Sequence, residues 1–338
     1  MPSEQKRGSR PTLKTVAAEV GVSTATVSFV LAGRSDIGIS EATAQRVHEA
    51  AKRLGYRPNR SARAVRTGRT GIVLLSLRML ADPWSLGLAE TVSATAKRAG
   101  LTTMILADGD WFSALESQQV DVAYLGLGSD REGDLRKVAT LVERGQKVVV
   151  FDERIEPAGF DVIRSDALPG ARTAVNHLLS KTSDIGCVTS RENYESSPSR
   201  FSVFLETMAA AGFTVPADRI AIYEDTQTDA FTAALDLLGR PDRPQGVYAT
   251  TDFAAIATLG AARRLGLRVP EDLLIVGLGN APETGRTDPP LTTVGPDGLF
   301  HSIAELIVRR ALEDPGVRGQ GQLHEFSWVL IERESSLR

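Results

Sequence analysis

In "TLKTVAAEV" apolar residues recur at Leu13, Val16, Ala17 and Val20, the spacing of one helical face, and Gly21 follows where a helix stops at positive φ. Ser23 is a natural N-cap for a second helix, Thr24 to Leu31, with Val27 and Val30 on one side and Thr24, Ala25, Ser28 and Phe29 on the other. Two short helices joined by a tight glycine turn predict a helix-turn-helix. After "AGRSDIGI", Ser40 and Glu41 open a third helix whose inner stripe is Ala44, Val47, Ala51 and Leu54, closed by Gly55. "YRPNRSARAVRTGRT" then offers Pro58 as a stop, Asn59 as a cap, about two turns of helix formers to Val65, and Gly68. From Gly71 the pattern becomes apolar runs alternating with helical stretches: "IVLLSL", Leu86 to Ala99, "TTMILA", "VDVAYLGL", Leu135 to Arg144, "KVVVFD". A second series repeats it with "DIGCVTS", "RIAIYED", "QGVYATT" and "LLIVGLG". This is the pattern of parallel sheets with helices on both faces. The predicted fold is an all-α helix-turn-helix head on an α/β body of two Rossmann-like parallel-sheet halves with a ligand cleft at the strands' carboxyl ends.

Composition sharpens the division. With 338 residues, 42% hydrophobic and 24% charged, the chain can bury more than one core. Its net charge of −3 hides a split: 13 lysines and arginines against five acids up to Gly71, a net +8, leave −11 on the remainder. A basic head on an acidic body points to a polyanion partner for the head alone. The hinge-like segment interleaves Arg60, Arg63, Arg66 and Arg69 with Ala62, Ala64 and Val65. It is too short and too charged for a stable isolated helix and is expected to fold against something negative.

Other chemistry is sparse. The one cysteine, Cys187, lies in the apolar run "IGCVTS", which reads as a buried strand thiol. His48, His177, His301 and His324 are scattered without ligand spacing, so no metal is expected. There is no Walker loop, and "GLGSDREGD" fails the dinucleotide spacing, so no cofactor is expected. The basic start "MPSEQKRGSRPT" has no apolar core of a signal peptide, and no apolar run approaches the roughly 18 residues of a membrane span, which places the protein in the cytoplasm, at the nucleoid.

"TLKTVAAEVGVSTATVSFVLAG", "ISEATAQRVHEAAKRLGYRPN" and "SARAVRTGRTGIVLL" resemble, in order and spacing, the head and hinge of the LacI/GalR transcription regulators. The similarity runs on through "VVVFDER", "ATTDFAAIATLGAARRLGLRVPEDLLIVGLG" and "DPPLTTV", and so covers nearly the whole chain. It implies a homodimeric repressor on an inverted-repeat operator, controlled by a sugar or other metabolite in a periplasmic-binding-protein-like body. The expected parts are a flexible basic tail (1–11), the helix-turn-helix (12–57), a hinge (58–70) and the effector and dimerisation body (71–338). Within the body, the first half is expected at about 71–153 and 289–316, the second at about 154–288 and 317–338.

The resemblance places the second helix in the major groove. The DNA-facing set it implies is Lys14, Ser23, Thr24, Ala25, Thr26, Ser28 and Phe29, with Tyr56, Asn59, Ala62, Arg63, Val65 and Arg66 from the end of the head and the hinge. Phe29 stands where many members carry a guanine-reading arginine, so it either meets thymine methyls or packs against its own hinge. Val65 stands where leucine is the usual minor-groove wedge, a shallower version of the same role. The effector candidates at strand ends are Asp82, Trp84, Asp152, Ser196, Arg200, Thr251, Asp252 and Asn280. Each also has a local alternative: Asp252 as a helix N-cap, Arg200 as a surface arginine, Trp84 as core. The chain departs from sugar-responsive members at Gly279 and Asn280, where two acids are common, and at Thr251, where asparagine is common. The segment between "MILADGD" and "VDVAYLG" is also short enough to trim one helix.

Two other classes compete. An enzyme or exported solute-binding protein shares the α/β body, but it would show a catalytic set in the cleft or an export signal in place of a basic head. A nucleoid-architectural protein would bind operator and random DNA nearly equally. No heptads follow "VLIERESSLR", so a dimer is expected rather than a tetramer.

Overall fold

The computed structural model describes residues 11–31, 38–56, 64, 67–128, 130–165, 167–224, 226–314 and 320–337. The chain divides into two compact units, 1–70 and 71–338.

In the head, α1 (Leu13–Val20) is opened by Thr12 and Thr15 in a reciprocal capping box and closed by Gly21 at φ 71°. α2 (Thr24–Leu31) starts from Ser23, whose Oγ accepts the Thr26 N–H at 3.0 Å. α3 (Glu41–Leu54) is capped by Ser40. Val16, Val27 and Val47, one from each helix, are fully buried, and each such side chain contributes about 1.5–3 kcal/mol. Ala17, Val20, Val30, Ala50 and Ala51 complete this core, with Leu54 and Tyr56 packed at its edge. Arg46 donates to the Val20 carbonyl at 2.7 Å and locks α3 to the end of α1. Of the hinge, Asn59, Ala62, Arg63, Val65 and Arg66 lie outside the described residues. Gly68 N–H donates to the Ala64 carbonyl at 2.7 Å.

The body begins β1 (Ile72–Leu77), α4 (Pro83–Arg98), β2 (Thr102–Ala107), α5 (Trp111–Ser117), β3 (Val122–Gly126), α6 (Arg131–Glu143), β4 (Val148–Phe151) and β5 (Asp161–Ser165). It continues α7 (Ala167–Leu179), β6 (Ile185–Ser190), α8 (Arg191–Glu195), α9 (Arg200–Ala210), β7 (Ile220–Tyr223), α10 (Gln227–Leu238), β8 (Gly246–Ala249), α11 (Asp252–Arg264) and β9 (Leu274–Leu278). It ends β10 (Thr292–Pro296), α12 (Leu299–Leu312), β11 (Leu323–Phe326) and β12 (Trp328–Ile331). Two six-stranded sheets result, ordered β11-β5-β4-β3-β1-β2 and β12-β10-β9-β8-β6-β7. Every pairing is parallel except β10 with β12. The valine- and leucine-rich central strands are buried on both faces, as parallel strands between helices require. α5, seven residues long, fills the segment expected to be trimmed. Cys187 is buried in β6, and burial raises its thiol pKa.

The chain crosses between the sheets three times, and the crossings correct the expected boundaries. β5 remains in the first sheet, so the first crossing follows Ser165 rather than residue 153. β10 belongs to the second sheet, so the return follows Pro296 rather than residue 288. β11 belongs to the first sheet, and the last crossing lies between Phe326 and Trp328 rather than at 316. Packing gives the reason. α7 buries Ala171, Ala174, Val175 and Leu178 with Phe204 and Tyr248 of the second half. α12 buries Leu299, Ile303 and Ile307 with Leu88 and Val92 of the first. Arg310 of α12 also pairs with buried Asp161 of β5 at 2.6 and 2.8 Å, anchoring the returning helix.

Candidate functional sites

On the head, Lys14, Ser23, Thr24 and Ala25 are exposed, while Thr26, Ser28, Phe29 and Tyr56 are half-buried. The first turn of α2 therefore presents small side chains outward, and Val27 and Val30 hold it to the core. The Thr26 hydroxyl lies 2.9 Å from Ser23 Oγ, so both belong to the cap as well as to this surface. A helix with a small exposed first turn can enter a DNA groove closely.

In the body, the strands' carboxyl ends converge on a cavity of about 170 Å³. Asp82 and Trp84 follow β1, Phe151 ends β4, Ser165 ends β5, Thr251 and Asp252 follow β8, Leu278 ends β9 and Gly279 follows it, Arg200 opens α9 and Trp328 opens β12. This is where an open parallel sheet binds ligands. Five of the eight candidates line it: Asp82, Trp84, Arg200, Thr251 and Asp252.

Each has a structural partner as well. Asp82 caps α4, accepting the Trp84 N–H at 3.1 Å. Burial raises its pKa, against the Trp84 N–H and Arg200, which favour the anion. The Trp84 ring lies 5.2 Å from Phe151 and 5.4 Å from Phe300. Arg200 donates to the Thr250 carbonyl at 3.1 Å and lies over the Trp328 ring at 5.2 Å. Trp328 Nε1 donates to Ser165 Oγ at 2.6 Å, tying the two sheets together at the floor of the cleft. Asp252 does not cap α11; Thr251 does, accepting the Ala254 N–H at 3.1 Å. The Asp252 carboxylate accepts the Thr293 hydroxyl at 2.6 Å and the Ala281 N–H at 2.7 Å, pinning β10 and the turn after β9. Burial pushes it up to about 6 in spite of those bonds, helped by the charge of Asp82 and opposed by Arg200.

The other three candidates do not line the cavity. Asp152 is buried and taken up by Arg131 Nε at 2.8 Å and the Arg154 N–H at 2.7 Å. Ser196 ends α8 with its hydroxyl on the Glu192 carbonyl at 2.6 Å. Asn280 sits at φ 54° with its amide on the Pro296 carbonyl at 3.2 Å. The sequence reading missed Phe151, Ser165, Leu278, Gly279 and Trp328. Phe151 adjoins a candidate and Gly279 is a point of departure from the family, so the strand-end rule reaches both; nothing local marks Trp328. A larger hollow of about 270 Å³ between α12 and β11 contains none of the candidates, and the aromatic-walled cavity is the better built site.

A helix-turn-helix head and a two-lobed α/β body with a cleft define a DNA-binding regulator of transcription. Residues 12–59 match the bacterial regulatory proteins of the lacI family, and residues 175–336 match the periplasmic binding protein-like domain. The chain is 30% identical over 303 residues to the HTH-type transcriptional repressor CytR of Escherichia coli (strain K12), covering 86% of each. It is 30% identical over 328 residues to the HTH-type transcriptional regulator CelR of Thermobifida fusca, covering 90% of this chain and 93% of that one. The solved transcriptional regulator CelR–cellobiose complex superposes with a TM-score of 0.62 at 26% identity, covering 97% of this chain and 100% of that one. The lac repressor dimer bound to operator and the anti-inducer ONPF shares the fold, with a TM-score of 0.71 at 20% identity, covering 98% of this chain and 100% of that one. The chain belongs to the LacI family of bacterial regulatory proteins.

Proposed function

We propose that the protein is a homodimeric repressor that binds an inverted-repeat operator through α2 and the hinge, and that a small molecule in the body's cleft sets its affinity for DNA. The observation that carries this reading is α2 itself, anchored by Val27 and Val30 with Thr24 and Ala25 turned out on the first turn of a net-basic head. In this reading Ser23 to Phe29 meet base edges and backbone in the major groove, and Lys14 and Tyr56 bind phosphates. Asn59, Ala62, Arg63, Val65 and Arg66 form the minor-groove hinge, with Val65 as the wedge. CytR, a relative at 30% identity, is a repressor, and the CelR complex holds cellobiose, which supports a small-molecule effector.

Dimerisation is supported by the surface of the first half. β2 is an edge strand with Met104 and Ile105 exposed, and Leu80 and Leu86 are exposed at and just before the start of α4. An uncovered edge with apolar side chains is a natural pairing surface. The ligand acts through its different affinity for two arrangements of the lobes. Arg78 with Glu192 at 3.3 Å, and Arg154 with the Pro198 carbonyl at 3.2 Å, bridge the lobes in the arrangement seen. No catalysis is assigned to the cleft. No helix among the described residues is long and apolar enough to cross a membrane, and the cytoplasm, at the nucleoid, is the proposed location.

The test compares a selected operator with a scrambled duplex across a salt series by fluorescence anisotropy. Lys14→Ala is expected to weaken both duplexes equally and reduce the salt slope by about one. Thr24→Ala is expected to weaken the operator alone, by roughly five- to a hundredfold. Equal weakening of both duplexes by Thr24→Ala contradicts base reading by α2.

A further inference from the structure

Two carboxylates and one guanidinium face the cleft, and Arg333 lies near enough to act on Asp252. Asp82 and Asp252 line it, and Arg200 is the one cation among its lining residues. Arg200 is already engaged with the Thr250 carbonyl and the Trp328 face. Arg200 acts on both carboxylates through space, without a direct ion pair to either among the described residues. Asp252 spends one oxygen on Thr293 and the other on Ala281. Asp82, a lining residue, spends Oδ1 on the Trp84 N–H, and no hydrogen bond among the described residues engages its second oxygen. Burial raises the pKa of both acids, Arg200 opposes the shift at each, and Arg333 also acts on Asp252, so Asp82 is the carboxylate with fewer partners.

Beside these acids the walls are aromatic: Trp84, Phe151 and Trp328. Gly279 keeps the space between Trp84 and Asp252 clear. A Cβ there would stand 3.3 Å from Asp252 Oδ2 and 3.7 Å from Trp84 Cδ1, at a backbone φ of 132° that side chains rarely adopt. Asp152 is withdrawn into its bonds with Arg131 and Arg154. A cationic group would gain a charge-assisted bond to Asp82 and lie against aromatic faces.

Resting on the reading of the cleft as the effector site, we propose that the effector is a compact, ring-bodied molecule carrying a protonated amine. Its ammonium is held by the second oxygen of Asp82 beside Trp84, and its body packs against Phe151 and Trp328.

The test is isothermal titration calorimetry of the full-length protein at neutral pH with matched amines and alcohols. The pairs are glucosamine with glucose, galactosamine with galactose, cyclohexylamine with cyclohexanol, and benzylamine with benzyl alcohol. At least one amine is expected to bind about tenfold or more tightly than its alcohol. Asp82→Asn keeps the side-chain oxygen that caps α4 and is expected to erase that preference. The proposal is overturned if no amine outbinds its alcohol, including the case in which no member of any pair binds, or if the preference survives Asp82→Asn. Phe151→Trp, which fills the cavity, separates the two readings. A probe whose binding survives it lies outside the cleft and refutes the effector site itself. An alcohol lost on Phe151→Trp but indifferent to Asp82→Asn keeps the site and refutes the amine.

Discussion

Asp252 shows how much structural work one side chain in the cleft does. Its two oxygens join the start of α11 to the turn after β9 and to β10, at 2% exposure and without an ion pair among the described residues. A carboxyl with a folded pKa of about 6, against 3.8 in the unfolded chain, stabilises the fold fully below pH 4 and loses that contribution as pH rises through 6. Ionising it therefore costs about 3 kcal/mol in relative stability. Asp252→Asn is expected to flatten the pH dependence of the urea midpoint between about pH 4 and 6 relative to the wild type. An unchanged profile would show that Asp252 ionises normally in the fold. The residue's prominence was legible in the sequence, since it follows a strand end, but its role was not. Thr251 takes the N-cap, and the partners of Asp252 lie 29 and 41 residues away in the chain.

At the scale of elements, periodic helices and apolar runs set off by punctuation were readable, and strands lacking such a run were not. The three head helices, β1 to β4 and β6 to β9 follow from period and punctuation, because burial on fixed faces imposes those periods. β5 carries Arg164 and β10 ends in Gly-Pro, so neither resembles a buried strand. β11 is interrupted by His324 and Glu325, and β12 follows it after one residue, so the two do not read as separate strands. These strands set the crossings, which is why the lobe boundaries were misplaced. β12 also makes a sharp demand on α7. A Cβ at Gly170 would stand 2.6 Å from Trp328 Cε3 and 2.9 Å from its Cβ. Gly170→Ala gains helix propensity of about 1 kcal/mol but forces the indole to move, at about 1–3 kcal/mol. Net destabilisation in urea is expected, together with weaker binding of the cleft's ligand because Trp328 is one of its walls. A more stable variant would show that α7 and β12 can slide apart freely.

For the whole molecule, the separation of charge, +8 up to Gly71 and −11 beyond it, follows the division of the chain into two units. The cleft could be located from sequence because parallel strands deliver their loops to one edge. Its chemistry could not be read in full. Trp328 reaches it from an antiparallel strand, and Asp152, which follows a strand end as the rule requires, is consumed by Arg131. The basic head and the exposed turn of α2 make a sequence-reading dimer the central claim. It is tested most directly by selecting bound sequences from random duplexes with the full-length protein at two salt concentrations. The account predicts an inverted repeat with a defined centre, preferred at both concentrations. Recovery of no motif, with affinity collapsing as salt rises, would contradict it and leave only a phosphate-binding surface.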